Sequence, residues 1–145
     1  MGKKRIVTQG ETKTGEGTGS AGATRQSSKR HIEIGTLYIE ATYNNTKAVL
    51  ADSKGNTLAW TSSGTLGFKG AKKGTPFAAA KVGETIGEKA QGVGMKEALV
   101  VVSGVGAGRE SVIRGFISKG LDLSGIKDVT PVPHNGPRPK KPRRV

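Results

Sequence analysis

Three stretches of this chain carry residue types suited to binding anions. Residues 62–74, SSGTLGFKGAKKG, hold four glycines and three lysines. Glycines let backbone amides approach a phosphate, and Lys69, Lys72 and Lys73 would supply charge beside a helix start. The Gly-Lys-Ser/Thr ending of a nucleotide-triphosphate loop is missing, and an ordinary soluble loop is the alternative reading. Gly104, Gly106 and Gly108 precede Arg109-Glu110, but the third glycine follows the second by two residues rather than three, so the dinucleotide fingerprint is weak. A tight turn that leaves Arg109 free to meet a phosphate fits better. The third stretch is the tail PVPHNGPRPKKPRRV. Its prolines deny it a helix, so Arg138, Lys140, Lys141, Arg143 and Arg144 project from an extended rod able to follow a groove between nucleic-acid helices. A localisation signal is the other use of such a tail. Within it, Asn135-Gly136 adds a chemical liability, because the glycine amide can attack the asparagine side chain to give succinimide and then isoaspartate. An unmodified turn is the alternative there.

Catalytic constellations are poor. Cysteine is absent and only His31 and His134 are present, so thiolate chemistry, disulfides and a histidine-built metal site are not expected. Glu40 and Asp52 could imitate a two-metal nuclease, but Glu97, Asp122 and Asp128 fall at element ends or in turns, so a third converging carboxylate is missing. Phe68, Trp60, Tyr38 and Tyr43 are too few and too strand-bound for a stacking platform that reads single-stranded bases. The chain is therefore expected to be no enzyme and to need no cofactor, metal or small-molecule substrate.

The elements that must position these stretches follow from periodicity. Leu37, Ile39, Ala41 and Tyr43 alternate with Tyr38, Glu40 and Thr42, the two-residue period of a half-buried strand starting at Ile34. Asn44-Asn45 turns the chain into a strand over 47–52, and Ser53-Lys54-Gly55-Asn56 into a third over 57–62. Thr75-Pro76 reads as N-cap and first helical position, with Ala79, Val82, Ile86 and Ala90 at helical spacing after it. Gly83 and Gly87 would flatten one helix face and let it approach a sheet. The continuous apolar run 98–102 predicts a strand covered on both faces. A second helix buries Val112, Ile113, Phe116 and Ile117 and stops with Gly120 at C′. A last strand spans 126–130. The order β-β-β-α-β-α-β predicts an α/β fold, a single domain built on a mixed sheet with helices packed on it.

Charge divides the chain. Of 145 residues, 24 are Lys or Arg and 11 Asp or Glu, a formal charge of +13. Residues 1–30 hold seven basic and two acidic residues, residues 31–130 twelve and nine, and residues 131–145 five and none. Most of the excess thus lies outside the segment able to fold, which predicts a nearly neutral domain over 31–130 with basic extensions at 1–30 and 131–145. Such a surplus points to a polyanion as partner. The first extension is too poor in apolar residues to order itself and lacks the apolar core of a secretory signal. No stretch approaches the ~20 apolar residues of a membrane span, so no membrane is expected among the partners.

SSGTLGFKGAKKGTPFAAA, GVGAGRESVIRG and IKDVTPVPHNGPRPKKPRRV together resemble the small-subunit ribosomal protein eleven family, bacterial type, over about residues 29 to 145. The resemblance implies a three-layer α/β domain of the ribonuclease-H-like type. It also implies a structural protein of the ribosomal platform in the cytoplasm. Such a protein binds and bridges helices of small-subunit ribosomal RNA, beside neighbouring small-subunit proteins and near the messenger's Shine–Dalgarno cleft. It further implies RNA-binding roles for Lys69, Lys72, Lys73, Arg109 and Arg114, and for the tail residues His134, Asn135, Arg138, Lys140, Lys141, Arg143 and Arg144. Val105 and Ala107 stand where relatives often carry proline, Pro137 where many carry cysteine, and residues 1–28 lie beyond the resemblance. A general nucleic-acid-compacting protein is the alternative that charge alone supports.

Overall fold

The computed structural model describes residues 31–142 and Arg144; the extension over 1–30 and Arg143 of the tail lie outside the described residues. The domain is α/β, in the order β1 (Ile34–Ala41), β2 (Thr46–Asp52), β3 (Thr57–Ser62), a short 3-10 helix (Gly70–Gly74), α1 (Pro76–Val93), β4 (Glu97–Ser103), α2 (Arg109–Ile117) and β5 (Asp122–Asp128). The expected element order is present, and the glycine-lysine loop contains the short 3-10 helix. The mixed sheet runs β3-β2-β1-β4-β5. β1, β2 and β3 form an antiparallel meander, while β4 lies parallel to β1, and β5 to β4.

Alternation in β1 buries Leu37, Ile39 and Ala41 and exposes Tyr38 and Glu40. The strand ends at Ala41, short of Tyr43, because Thr42 is taken into the turn: its amide donates to Asn45 O at 2.9 Å, and its hydroxyl to the same oxygen at 3.0 Å. At the other hairpin the Asp52 carboxylate accepts from the Lys54 amide at 2.5 Å and from the Asn56 side chain at 3.0 Å, with Gly55 at φ +86°. Thr75 caps α1, accepting from the Ala78 amide at 3.3 Å ahead of Pro76, as its sequence predicts.

From β3 to β4, through α1, and from β4 to β5, through α2, the chain steps the same way across the sheet. Right-handed crossovers therefore lay both helices on one face, packed on each other. Three expectations change as a result. Gly83 and Gly87 face α2 instead of the sheet: a Cβ on Gly83 would stand 2.2 Å from Val112 O. β4 is covered on one face only, with Ala98, Val100 and Val102 buried and Leu99 39% exposed. The buried stripe of α2 narrows to Val112, Gly115 and Phe116, leaving Ile117 46% exposed. The core consists of the helix-facing residues of β1, β2 and β4 with Val82, Ile86, Val112 and Phe116. On the other face, among the described residues, no helix covers Tyr38, Trp60 and Leu99.

Two ends also shift. β5 occupies 122–128 instead of 126–130, and Ser118 is the C-cap of α2, so Gly120, at φ +76°, comes two residues beyond the cap. Among the described residues no helix is long and apolar enough to cross a membrane.

Candidate nucleic-acid interface

Parallel pairing of β1, β4 and β5, with β3 running the same way, brings the ends of four strands and the start of β2 to one edge of the sheet. The basic loop leaves from the end of β3, the glycine turn from β4, and the tail from β5. The three stretches singled out by sequence thus share one end of the domain.

Between them sits the β1–β2 turn, Thr42 to Asn45. Ser63, at the base of the loop, is fully buried; its amide donates to Thr46 O at 2.9 Å and its hydroxyl to Asn45 Oδ1 at 2.6 Å. The loop continues through an edge-to-face contact of Phe68 with Phe77, ring centres 6.1 Å apart, into the 3-10 helix. Gly74 closes onto the turn so tightly that a Cβ there would lie 2.1 Å from Tyr43 O. Lys69 and Lys72 stand exposed on this anchored loop and Lys73 is half-buried.

Glycines of the second turn serve the same packing. A Cβ on Gly104 would meet Ala41 O at 2.2 Å and one on Gly106 would meet Thr42 O at 2.3 Å, while the Gly106 amide donates to Ala41 O at 2.8 Å. Only residues without side chains allow the β4–α2 connection to lie against the end of β1.

Arg109 is not free, in contrast to the expectation. Its guanidinium pairs with Asp128 and donates to Gly104 O at 2.5 Å and Thr130 Oγ1 at 3.2 Å. Hydrogen bonds from the Thr130 hydroxyl and amide, then from Arg109, hold the Asp128 carboxyl down at about 2. Arg114 lies further along α2 with its side chain 81% exposed, 3.5 Å from Glu110. His134, Asn135, Arg138, Lys140, Lys141 and Arg144 are all exposed along a tail without regular structure, and Asn135 adopts φ +53°.

Sequence reasoning read Asn44-Asn45 only as a hairpin turn and Asp128 only as a carboxylate at an element end, and it missed Ser63 and Thr130. For Asp128 and Thr130 a signal existed: Asp-Val-Thr-Pro has the spacing of an aspartate that caps a turn two residues on. The carboxylates of the nuclease reading are kept apart. Glu40 pairs with Lys47 across from the loop end, whereas Asp52 pairs in register with Gly35, five residues back along β1 and hence roughly 17 Å away. Among the described residues no cluster of three or more His, Cys, Asp or Glu could hold a metal.

The family model described as ribosomal protein S11 matches residues 35–144. The chain belongs to the ribosomal protein S11 family. The "Small ribosomal subunit protein uS11" of Solibacter usitatus (strain Ellin6076) is 48% identical over 121 residues, covering 83% of this chain and 90% of that relative. The S11 match takes in the basic loop, the glycine turn, α2 and the tail as far as Arg144, so all three converging stretches belong to the family's common part.

Proposed function

We propose that this protein is a structural, non-enzymatic component of the small ribosomal subunit, placed on its platform in the cytoplasm, that binds and bridges helices of small-subunit ribosomal RNA. The observation that supports this is the gathering of the basic loop and the tail at one end of the sheet, with Arg114 exposed on α2. Three cationic features held at fixed separations neutralise phosphates from different RNA segments and so relieve the repulsion between segments packed together. Lys69, Lys72, Lys73 and Arg114 act from the domain. His134, Asn135, Arg138, Lys140, Lys141, Arg143 and Arg144 act from the tail, whose extended form enters where a globule cannot. Arg109 is already engaged inside the fold. Phosphate contacts carry no sequence information, so specificity comes from the folded shape of the RNA. Neighbouring small-subunit proteins, and messenger RNA near the Shine–Dalgarno cleft, complete the proposed surroundings.

Incorporation into small subunits tests the reading. The full chain is expected to co-sediment with reconstituted particles and a chain lacking 131–145 to be lost from them; normal incorporation without the tail refutes bridging. Equal affinity for arbitrary duplex DNA at physiological salt would favour a general compacting protein instead. Asn135-Gly136 is exposed, and we place isoaspartate formation there; peptide mapping with isoaspartyl methylation detects it.

A further inference from the structure

A cationic tail that leaves the domain in a defined direction loses less freedom on meeting RNA, and the structure shows what sets that direction. One carboxylate oxygen of Asp128 accepts both the Thr130 amide at 2.9 Å and the Thr130 hydroxyl at 2.6 Å, closing a turn over the last residues before the tail. Thr130 precedes Pro131, which restricts it to extended backbone. The Thr130 hydroxyl also accepts from the Gly104 amide at 3.2 Å, and the Val129 amide donates to Val102 O at 2.9 Å. The Arg109 fork then ties the Asp128–Thr130 turn to Gly104, joining two segments far apart in sequence.

Electrostatics makes this arrangement informative. A carboxylate at the root of a tail carrying five basic residues opposes phosphate binding unless its charge is used within the fold. Arg109, for its part, has its fork occupied by intramolecular acceptors. We infer that Asp128, Arg109 and Thr130 form a latch that aims the tail toward the RNA surface met by the basic loop, with all three as positioning residues and Arg109 no phosphate ligand. The inference rests on the RNA-binding reading above and adds to it the device that orients the tail.

Asp128→Asn separates the two roles by sign. The substitution adds one net positive charge and releases Arg109, so a free phosphate-binding arginine would tighten RNA binding and steepen its salt dependence by up to about one unit of slope. The latch requires the opposite: weaker binding by about tenfold, with the slope of log K against log salt reduced by at least about two as tail contacts are lost. Full-length chains are titrated with a folded small-subunit ribosomal RNA fragment between low and physiological salt, and thermal unfolding reports that the fold persists. Thr130→Val, which keeps the charges and removes the hydroxyl, is expected to lower the slope as well, and Thr130→Ser to restore it. With Arg138, Lys140, Lys141, Arg143 and Arg144 all changed to Gln, Asp128→Asn is expected to have no further effect.

If the unaltered chain shows no preference for the RNA fragment over duplex DNA, the functional reading itself fails. If that preference holds and Asp128→Asn binds as well or better, the latch alone is overturned. Should Asp128→Asn unfold, the Thr130→Val and Thr130→Ser pair decides the matter, equal slopes for the two refuting the latch.

Discussion

Gly83→Ala and Gly92→Ala place the same substitution in the same helix and are expected to change stability in opposite directions. Alanine is favoured over glycine in a helix interior by about 1 kcal/mol, so propensity alone makes both stabilising. At Gly92 nothing lies within 4 Å of the added carbon, and Gly92→Ala should stabilise by about 0.5–1 kcal/mol, near the helix end where propensity counts less. At Gly83 the carbon would stand 2.2 Å from Val112 O and 3.1 Å from the Gly115 Cα. Comfortable non-bonded separations begin near ~3.5 Å, so α1 and α2 must part by roughly 1 Å, and backbone cannot rotate away as a side chain could. Overpacking costs about 3 kcal/mol at the upper end, which leaves a net loss of about 2 kcal/mol after the propensity gain. Gly87→Ala falls between, since its nearest neighbour is the Lys119 side chain at 2.9 Å. Urea unfolding followed by circular dichroism measures all three; with a slope near ~1.5 kcal/mol/M, Gly83→Ala should move the midpoint down by about 1.3 M and Gly92→Ala slightly up. Equal signs for the two, or an unshifted Gly83→Ala, would refute helix contact at backbone distance.

Loss of the cap hydroxyl in Thr75→Ala should lower stability by about 1 kcal/mol, read from the same urea curves. Phe116 is fully buried between helices and sheet, and Phe116→Ala should cost about 3–5 kcal/mol and populate unfolded chain at modest urea. The depressed Asp128 pKa has a definite sign. Its folded value of about 2 lies below the ordinary carboxylate value, so its stabilising contribution is complete above about pH 4 and disappears as pH falls through about 2. A carboxyl-detected NMR titration should find Asp128 charged well below pH 4 in the native chain, and shifted back toward the ordinary value in Thr130→Val. Changing Lys69, Lys72 and Lys73 together to Gln should reduce the salt slope of RNA binding by about two to three while leaving thermal unfolding unchanged.

Much of the fold was legible because its signals are local. Strand alternation in Leu37–Ala41, the Thr75-Pro76 helix start and the turn residues at 44–45 and 53–56 each act over a few residues, and the structure places an element boundary at or beside each. The basic loop and tail stood out by composition, which needs no fold to be read. Errors fell where the answer depended on a distant neighbour. An apolar run in β4 says that side chains avoid water, but whether one face or two is covered depends on where the helices pass. Gly83 and Gly87 announce a close approach without naming the partner, and Arg109 announces a cation without showing that Asp128, nineteen residues on, already takes its charge.

The amino-acid sequence by itself determined which segments become strands and helices, where positive charge accumulates and which family the motifs resemble, because each depends on residue type and short spacing. Tertiary structure alone decided that the three cationic stretches share one end of the sheet, that both helices share one face, and that Arg109 pairs with Asp128. The physical reason is that strand order and crossover direction are properties of the whole chain: they set distances between residues far apart in sequence, and no local period encodes them.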